Sequence, residues 1–177
     1  NADYMKIPEN FDAIQSQSEA LLNGASVVTV ENGTITCDFT EASVFTITFS
    51  DVYAAREINM LVDNVNDLKE NKYVINITGM DVPEANGFMF DAGASQGDIN
   101  TTKTKILLNG INYAYAKEMT GAIDTQKQCN TDGMKLIFNF PDATGEIFPN
   151  LLGGHVVAPK ATVTPTGGNH EGSVIAK

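Results

Sequence analysis

The side chains with the most chemistry to offer are few and scattered. His155 and His170 are the only histidines, fifteen positions apart in a chain of 177. An imidazole acting as general base needs one partner to orient it and a nucleophile from which to take a proton, and no serine, cysteine or aspartate is spaced to do either. Both histidines read as loop residues. The chain has no H-E-x-x-H, no C-x-x-C and no glycine-rich phosphate loop, so no catalytic residues and no enzyme are expected. Cys37 and Cys129, 92 positions apart, are candidates for one disulfide, or equally for two buried free thiols. Asp91 and Asp98 in "FDAGASQGDIN" are the best candidates for a calcium site. They lack the alternating oxygen ligands of an EF-hand loop, and turn chemistry accounts for them as well. The expectation is no cofactor and no metal, with calcium as the alternative.

Two patterns point to binding rather than catalysis. Tyr113 and Tyr115 in "INYAYAK" share one face of a strand, because residues i and i+2 point the same way. Exposed, they form a candidate ligand-binding pair that can stack on a sugar ring or anchor a protein partner; burial in a core is the plainer alternative. Thr34 with Thr36, Thr46 with Thr48, and Thr162 with Thr164 each put two hydroxyls on one strand face. A flat array of such pairs would suit ice or a polysaccharide, but threonine is also simply a good strand residue on a wet face.

Composition narrows the partners. Eleven basic against 22 acidic residues give a net charge of −11. With no basic cluster to displace counterions from phosphates, nucleic acid is disfavoured as a partner. Apolar runs such as "LIF" at 136 to 138 are far too short to cross a bilayer, and no cationic segment precedes an apolar signal core. No membrane insertion is expected within this chain. It starts at Asn1 rather than at methionine, which suggests a processed product or an excised domain.

These residues must be held by elements that the sequence marks unevenly. "IPENFDAIQSQSEALLNG" predicts a helix over 8–24, with Pro8 and Asn10 at its entry and Gly24 at its exit. "SVVTVENGTITCDF" predicts a hairpin turning on Asn32 and Gly33. "SVFTITF" follows as a strand, Ser50 and Asp51 as caps of a short helix through Arg56, and "EINMLVDNV" as strand or loop. From residue 72 onward short apolar bursts recur. "VIN", "LLN" and "IFN" end at Asn76, Asn109 and Asn139, and two more bursts are "VVA" and "VIA". Val156 and Val174 lie 18 apart, and Leu136 and Val156 lie 20 apart. A period near that size predicts a coil in which each turn is one rung of parallel strands. The expected fold is therefore an all-β, right-handed three-sided β-solenoid with a flanking α-helix, in a single domain over 1–177 with rungs over 72–177. Val156 and Val174 should stack inward on adjacent rungs, Gly154 and Gly172 should sit at corners, and the asparagines should bond one another or nearby backbone. A β-sandwich is the alternative.

The last segment carries a resemblance. Asn139 to Ala143 ("NFPDA"), Gly154 to Ala161 ("GHVVAPKA") and Gly172 to Lys177 ("GSVIAK") resemble successive phrases in the C-terminal half of the bacterial choice-of-anchor A domain. "YVINITG" at 73 to 79 is similar to an earlier element of that family. The arrangement also resembles, at the level of fold, the ice-binding β-solenoids. The family's glycine-rich opening strands are missing before the helix, and "SVIAK" stops where a further strand would continue, so upstream strands look absent and both ends would expose unpaired rungs. What the resemblance implies is an extracellular, cell-surface bacterial domain used in adhesion to a host or matrix protein or a glycan. Two alternatives stand beside it: a self-assembling subunit of a surface fibre, joined by strand addition between copies, and an ice-binding protein.

Overall fold

The computed structural model describes residues 7–64, 66–91, 103–113, 135–150, 154–165 and 172–177. Helix α1 (Ile7–Ala20) leads, followed by β1 (Thr29–Glu31), β2 (Thr34–Asp38), β3 (Val44–Thr48), α2 (Phe49–Ala55), β4 (Glu57–Leu61), α3 (Asp67–Glu70) and β5 (Tyr73–Thr78). After a 3-10 turn at Pro83–Ala85 come β6 (Phe88–Asp91), β7 (Lys103–Leu108), β8 (Ile111–Asn112), β9 (Leu136–Asn139), β10 (Glu146–Asn150), β11 (His155–Ala158), β12 (Thr162–Val163) and β13 (Val174–Ala176).

The strands form two sheets. The eight-stranded sheet runs β1-β2-β4-β7-β6-β10-β12, with β8 paired beside β7; the five-stranded sheet runs β13-β11-β9-β5-β3. Every pairing in the smaller sheet is parallel, whereas the larger one is mixed, because β1 meets β2 and β7 meets β8 antiparallel.

This mixed α/β architecture replaces the all-β three-sided solenoid expected from periodicity. A coil of successive rungs stacks its strands in chain order, but β7 lies between β4 and β6, and the antiparallel β1 and β8 fall outside any rung. The short helix expected from Ser50 and Asp51 through Arg56 is present as α2 and begins one residue earlier, at Phe49, inside the expected strand. In α2, Thr48 rather than Ser50 or Asp51 is the N-cap: its hydroxyl accepts the Asp51 N–H at 3.2 Å and donates to the Asp51 carboxylate at 2.6 Å, which satisfies one of the free N–H groups of the first turn. Arg56 ends the helix at φ 66°, its N–H bonded to the Val52 carbonyl.

The local signals fared better than the global one. Asn32 and Gly33 take φ of 51° and 80°, the two positive values that let a two-residue turn match the strand twist, and Val30 faces Ile35 across the hairpin. The helix expected over 8–24 runs Ile7–Ala20, with Asn10 inside it and Gly24 beyond it at φ 73°. The 18-residue offset is a true register: Val156 pairs with Val174, Val157 with Ile175 and Ala158 with Ala176, all parallel. The same offset holds one strand earlier, since Val156 pairs with Phe138 and not with Leu136. Val156 is fully buried, but Val174, on the outermost strand of its sheet, is 38% exposed and so does not point into a closed core.

The core fills the space between the sheets. Ile35, Cys37, Ile58, Met60, Ile106 and Leu108 come from one side, and Ile47, Ile75, Ile77 and Phe138 from the other. Phe88, Phe90, Phe138 and Phe140 tie the layers together, with ring centroids 5.6 Å apart for Phe90 and Phe138 and 5.2 Å for Phe90 and Phe140. Alternation does the sorting: β2 and β4 bury every second residue, which puts one face inside and leaves the other outside.

Candidate functional site

Each sheet has an outer face, and the two are built differently. On the five-stranded sheet, Asn76 and Asn139 project outward in register into a site where water is excluded. Asn139 Nδ2 donates to Asn76 Oδ1 at 2.7 Å and to the Ser18 carbonyl at 2.9 Å, while Ser18 Oγ donates to Asn139 Oδ1 at 2.5 Å. Asn76 Nδ2 reaches the carbonyls of Leu21 at 2.9 Å and Phe45 at 3.2 Å. All three side chains are fully buried, and each amide has its donors and acceptor filled. The network fastens the end of α1 and the turn after it onto this face. Asn109, the third burst-ending asparagine, belongs to the other sheet, where it bonds both backbone groups of Val62 at 3.0 and 2.9 Å.

The remaining residues of the "NFPDA" and glycine phrases hold backbone together. Asp142 accepts the N–H groups of Gly79 and Met80 at 2.6 and 3.2 Å. Gly154 and Gly172 are at corners with φ of 111° and 131°; a Cβ on Gly154 would stand 2.6 Å from the Leu136 carbonyl, and one on Gly172 would overlap the Gly154 carbonyl. Only glycine fits such a stack.

Beside α1, towards β11 and β13, the covered face opens into a groove of about 510 Å³. Ile14, Leu21, Ile137, Val157 and Ile175 supply its apolar wall, and Lys72, His155 and Ser173 its polar rim. The Ser173 N–H donates to His155 Nδ1 at 3.2 Å.

The outer face of the eight-stranded sheet lies on the opposite side of the core. Its ladders mix chemistries: Thr34, Glu57 and Lys105 align across β2, β4 and β7, as do Thr36, Asn59 and Leu107, and Phe148 faces Met89 across β10 and β6. Thr34 Oγ1 donates to Glu57 at 3.0 Å, Lys105 Nζ lies 3.8 Å from the same carboxylate, and Thr164 Oγ1 donates to Glu146 at 2.7 Å. These side chains are half-buried by their neighbours, and among the described residues no helix is fastened over them as α1 is over the other sheet. Sequence reasoning missed Asn59, Lys105, Met89 and Phe148; the alternation of "EINML" and of "GEIFPN" was the available signal.

The residues singled out from sequence fall in separate places. Tyr113 is fully buried in the core, a position that offers no surface to a ligand, and Tyr115 lies outside the described residues. Cys37 is a buried free thiol, and burial pushes its pKa up from 9.0 to about 12; Cys129 lies outside the described residues. Asp91 ends β6, while Asp98 and His170 are outside the described residues. Thr34 and Thr36 sit on β2 and Thr162 and Thr164 at β12, with β4, β7, β6 and β10 between them, and Thr46 and Thr48 belong to the other sheet. The three pairs therefore do not stack into one ladder. No helix among the described residues is long and apolar enough to cross a membrane.

Comparison with known proteins adds one finding. The family model described as "Putative Ice-binding-like adhesive domain" matches residues 1–177, the full length of the chain. This is an adhesive, ice-binding-like family, coarser than the choice-of-anchor A resemblance read from the last segment. Neither the curated proteins nor the solved structures gave a match.

Proposed function

This chain belongs to the ice-binding-like adhesive domain family, and from that membership we propose that it is a non-catalytic adhesion domain acting outside the bacterial cell. Its partner is a glycan or a matrix or host protein, gripped by the outer face of the eight-stranded sheet. The observation that carries this reading is the make-up of that face, where in-register ladders set threonine, asparagine and a Glu57–Lys105 pair beside half-buried Leu107, Met89 and Phe148. Such a surface offers hydrogen bonds and apolar contact together, the combination found in protein and sugar recognition. It favours a mixed polar partner over ice, for which a regular hydroxyl array would be needed. The finer resemblance to the choice-of-anchor A domain, through Asn139 to Ala143 and Gly154 to Ala161, supports attachment of the parent protein to the cell envelope.

The test is retention of beads coated with the protein on arrays of glycans and matrix proteins. A double variant, Asn59→Lys with Lys105→Glu, should lower retention on the preferred surface at least tenfold while leaving the circular dichroism spectrum unchanged. Equal retention by the variant would remove the face from consideration. A second reading, assembly of copies by strand addition, draws on the apolar edges: Val30 on β1 is 51% exposed and Ile175 on β13 is 37% exposed. Light scattering of the purified chain separates the two, since a monodisperse monomer at adhesion-active concentrations leaves the first reading alone.

A further inference from the structure

We infer that the groove beside α1 is a second binding site, separate from the adhesive face, and that it takes a long-chain carboxylate with its chain along the apolar wall and its head at the Lys72 and His155 rim. The wall comes from both elements that frame the groove, Ile14 and Leu21 from the helix segment and Ile137, Val157 and Ile175 from the sheet. Val157 and Ile175 are direct partners on β11 and β13, and Ile137 on β9, the partner of His155, lies one diagonal step from Val157 on the same face, so the three form a diagonal strip rather than isolated contacts. A volume of about 510 Å³ is in the range of roughly 300 to 1,000 Å³ typical of small-molecule sites. Ser18, the fully buried polar residue in the groove's lining, already donates its hydroxyl to Asn139, so an apolar guest leaves that group satisfied.

The rim selects the head group. In a chain with 22 acidic and 11 basic residues, no carboxylate lines this groove among the described residues, whereas Lys72, His155 and Ser173 do. Because His155 Nδ1 accepts the Ser173 N–H, the proton of the neutral ring is on Nε2, leaving that nitrogen as a donor. The rim thus presents an ammonium, an imidazole N–H and a hydroxyl, which suit an anionic oxygen acceptor. The overall negative charge does not prevent this, since at physiological ionic strength it is screened beyond about 8 Å. A bound amphiphile would bridge α1 to the β13 edge and stiffen both.

The experiment is calorimetric titration of the intact protein with dodecanoate below its micellar concentration, alongside dodecyltrimethylammonium of equal chain length. We expect saturable one-to-one binding of dodecanoate, at least tenfold weaker binding to Lys72→Glu and to Ile175→Glu, and no saturable binding of the cation. Both positions are exposed, so neither change threatens the fold, and circular dichroism checks this. Absence of saturable dodecanoate binding, equal binding of the two head groups, or unaltered binding by either variant would overturn the inference. Loss of adhesion by the Asn59→Lys, Lys105→Glu double variant with dodecanoate binding intact keeps the two sites independent.

Discussion

The two sheets share a core but treat their outer faces in opposite ways. The five-stranded sheet is roofed by α1 and places Asn76 and Asn139 beneath it, each fully bonded; the eight-stranded sheet keeps Thr36, Asn59 and Lys105 on a face over which, among the described residues, no helix is fastened. A polar group under a helix must find protein partners or lose the free energy of its hydration, so it becomes a fastening with one permitted geometry. A polar group on an open face is satisfied by water in any case, which leaves it available to a partner. The same residue types thus serve architecture on one side and, on the other, stand free for the recognition proposed above.

The contrast within a single strand is sharper still. Cys37 faces the core while its neighbour Thr36 faces outward. Because burial holds the Cys37 thiol protonated, with a pKa pushed up to about 12 from 9.0, the folded state keeps a proton that the unfolded state gives up between those values. Its contribution is fully present below pH 9.0 and is lost as pH rises towards about 12, amounting to about 4 kcal/mol across that window. Urea unfolding of the protein and of Cys37→Ala at successive pH values should show this alkaline decline in the former and its absence in the latter. A parallel decline in both would mean that other groups are responsible.

Between the two outer faces, Asn139→Ala should cost about 3 kcal/mol, since it strands the Ser18 hydroxyl and carbonyl and the Asn76 oxygen in a dry site. Thr36→Val, on the open face, should stay within about 0.5 kcal/mol. Equal costs would show that the asparagine network is solvated and that the roof does not seal. The turns repeat the pattern on a smaller scale. Gly154→Ala meets both a φ of 111° and the Leu136 carbonyl, and should cost at least about 2 kcal/mol, whereas Gly110, at φ 78° with nothing within 4 Å of a Cβ, should lose only about 1 kcal/mol as alanine. Thermal midpoints of the two variants would rank them directly.

What could be read in advance was local chemistry. Asn32 and Gly33 announce their turn because positive φ restricts the residues that can occupy it. The 18-residue return of glycine and valine announces a parallel register, because equivalent positions must repeat for corners and strands to stack. Three bursts that end alike announce asparagines that bond one another or nearby backbone: Asn76 and Asn139 do the first, and Asn109 does the second in the other sheet. The position of β7 did not follow, since strand order depends on pairing between segments distant in the chain and "KTKILL" carries no mark of its neighbours. Nor could Tyr113 be assigned to the core: a tyrosine two residues from another obeys the same alternation whether the shared face is wet or dry. The face proposed for binding stayed hidden for the same reason, since alternation divides a strand into two faces without saying which will be roofed.

The place of β7 between β4 and β6 also bears on how the molecule is made. On the ribosome, β4 and β6 both emerge before the strand that joins them, so the large sheet exists first as two unconnected parts with a vacant slot at its centre. Until residue 108 has emerged, Ile58 and Met60 of β4 have no neighbour on that side, and a parallel edge of this kind is a template for a stray strand from another nascent chain. The closing step is the arrival of one six-residue segment, and a host that translates this stretch slowly would prolong the interval in which copies can tangle.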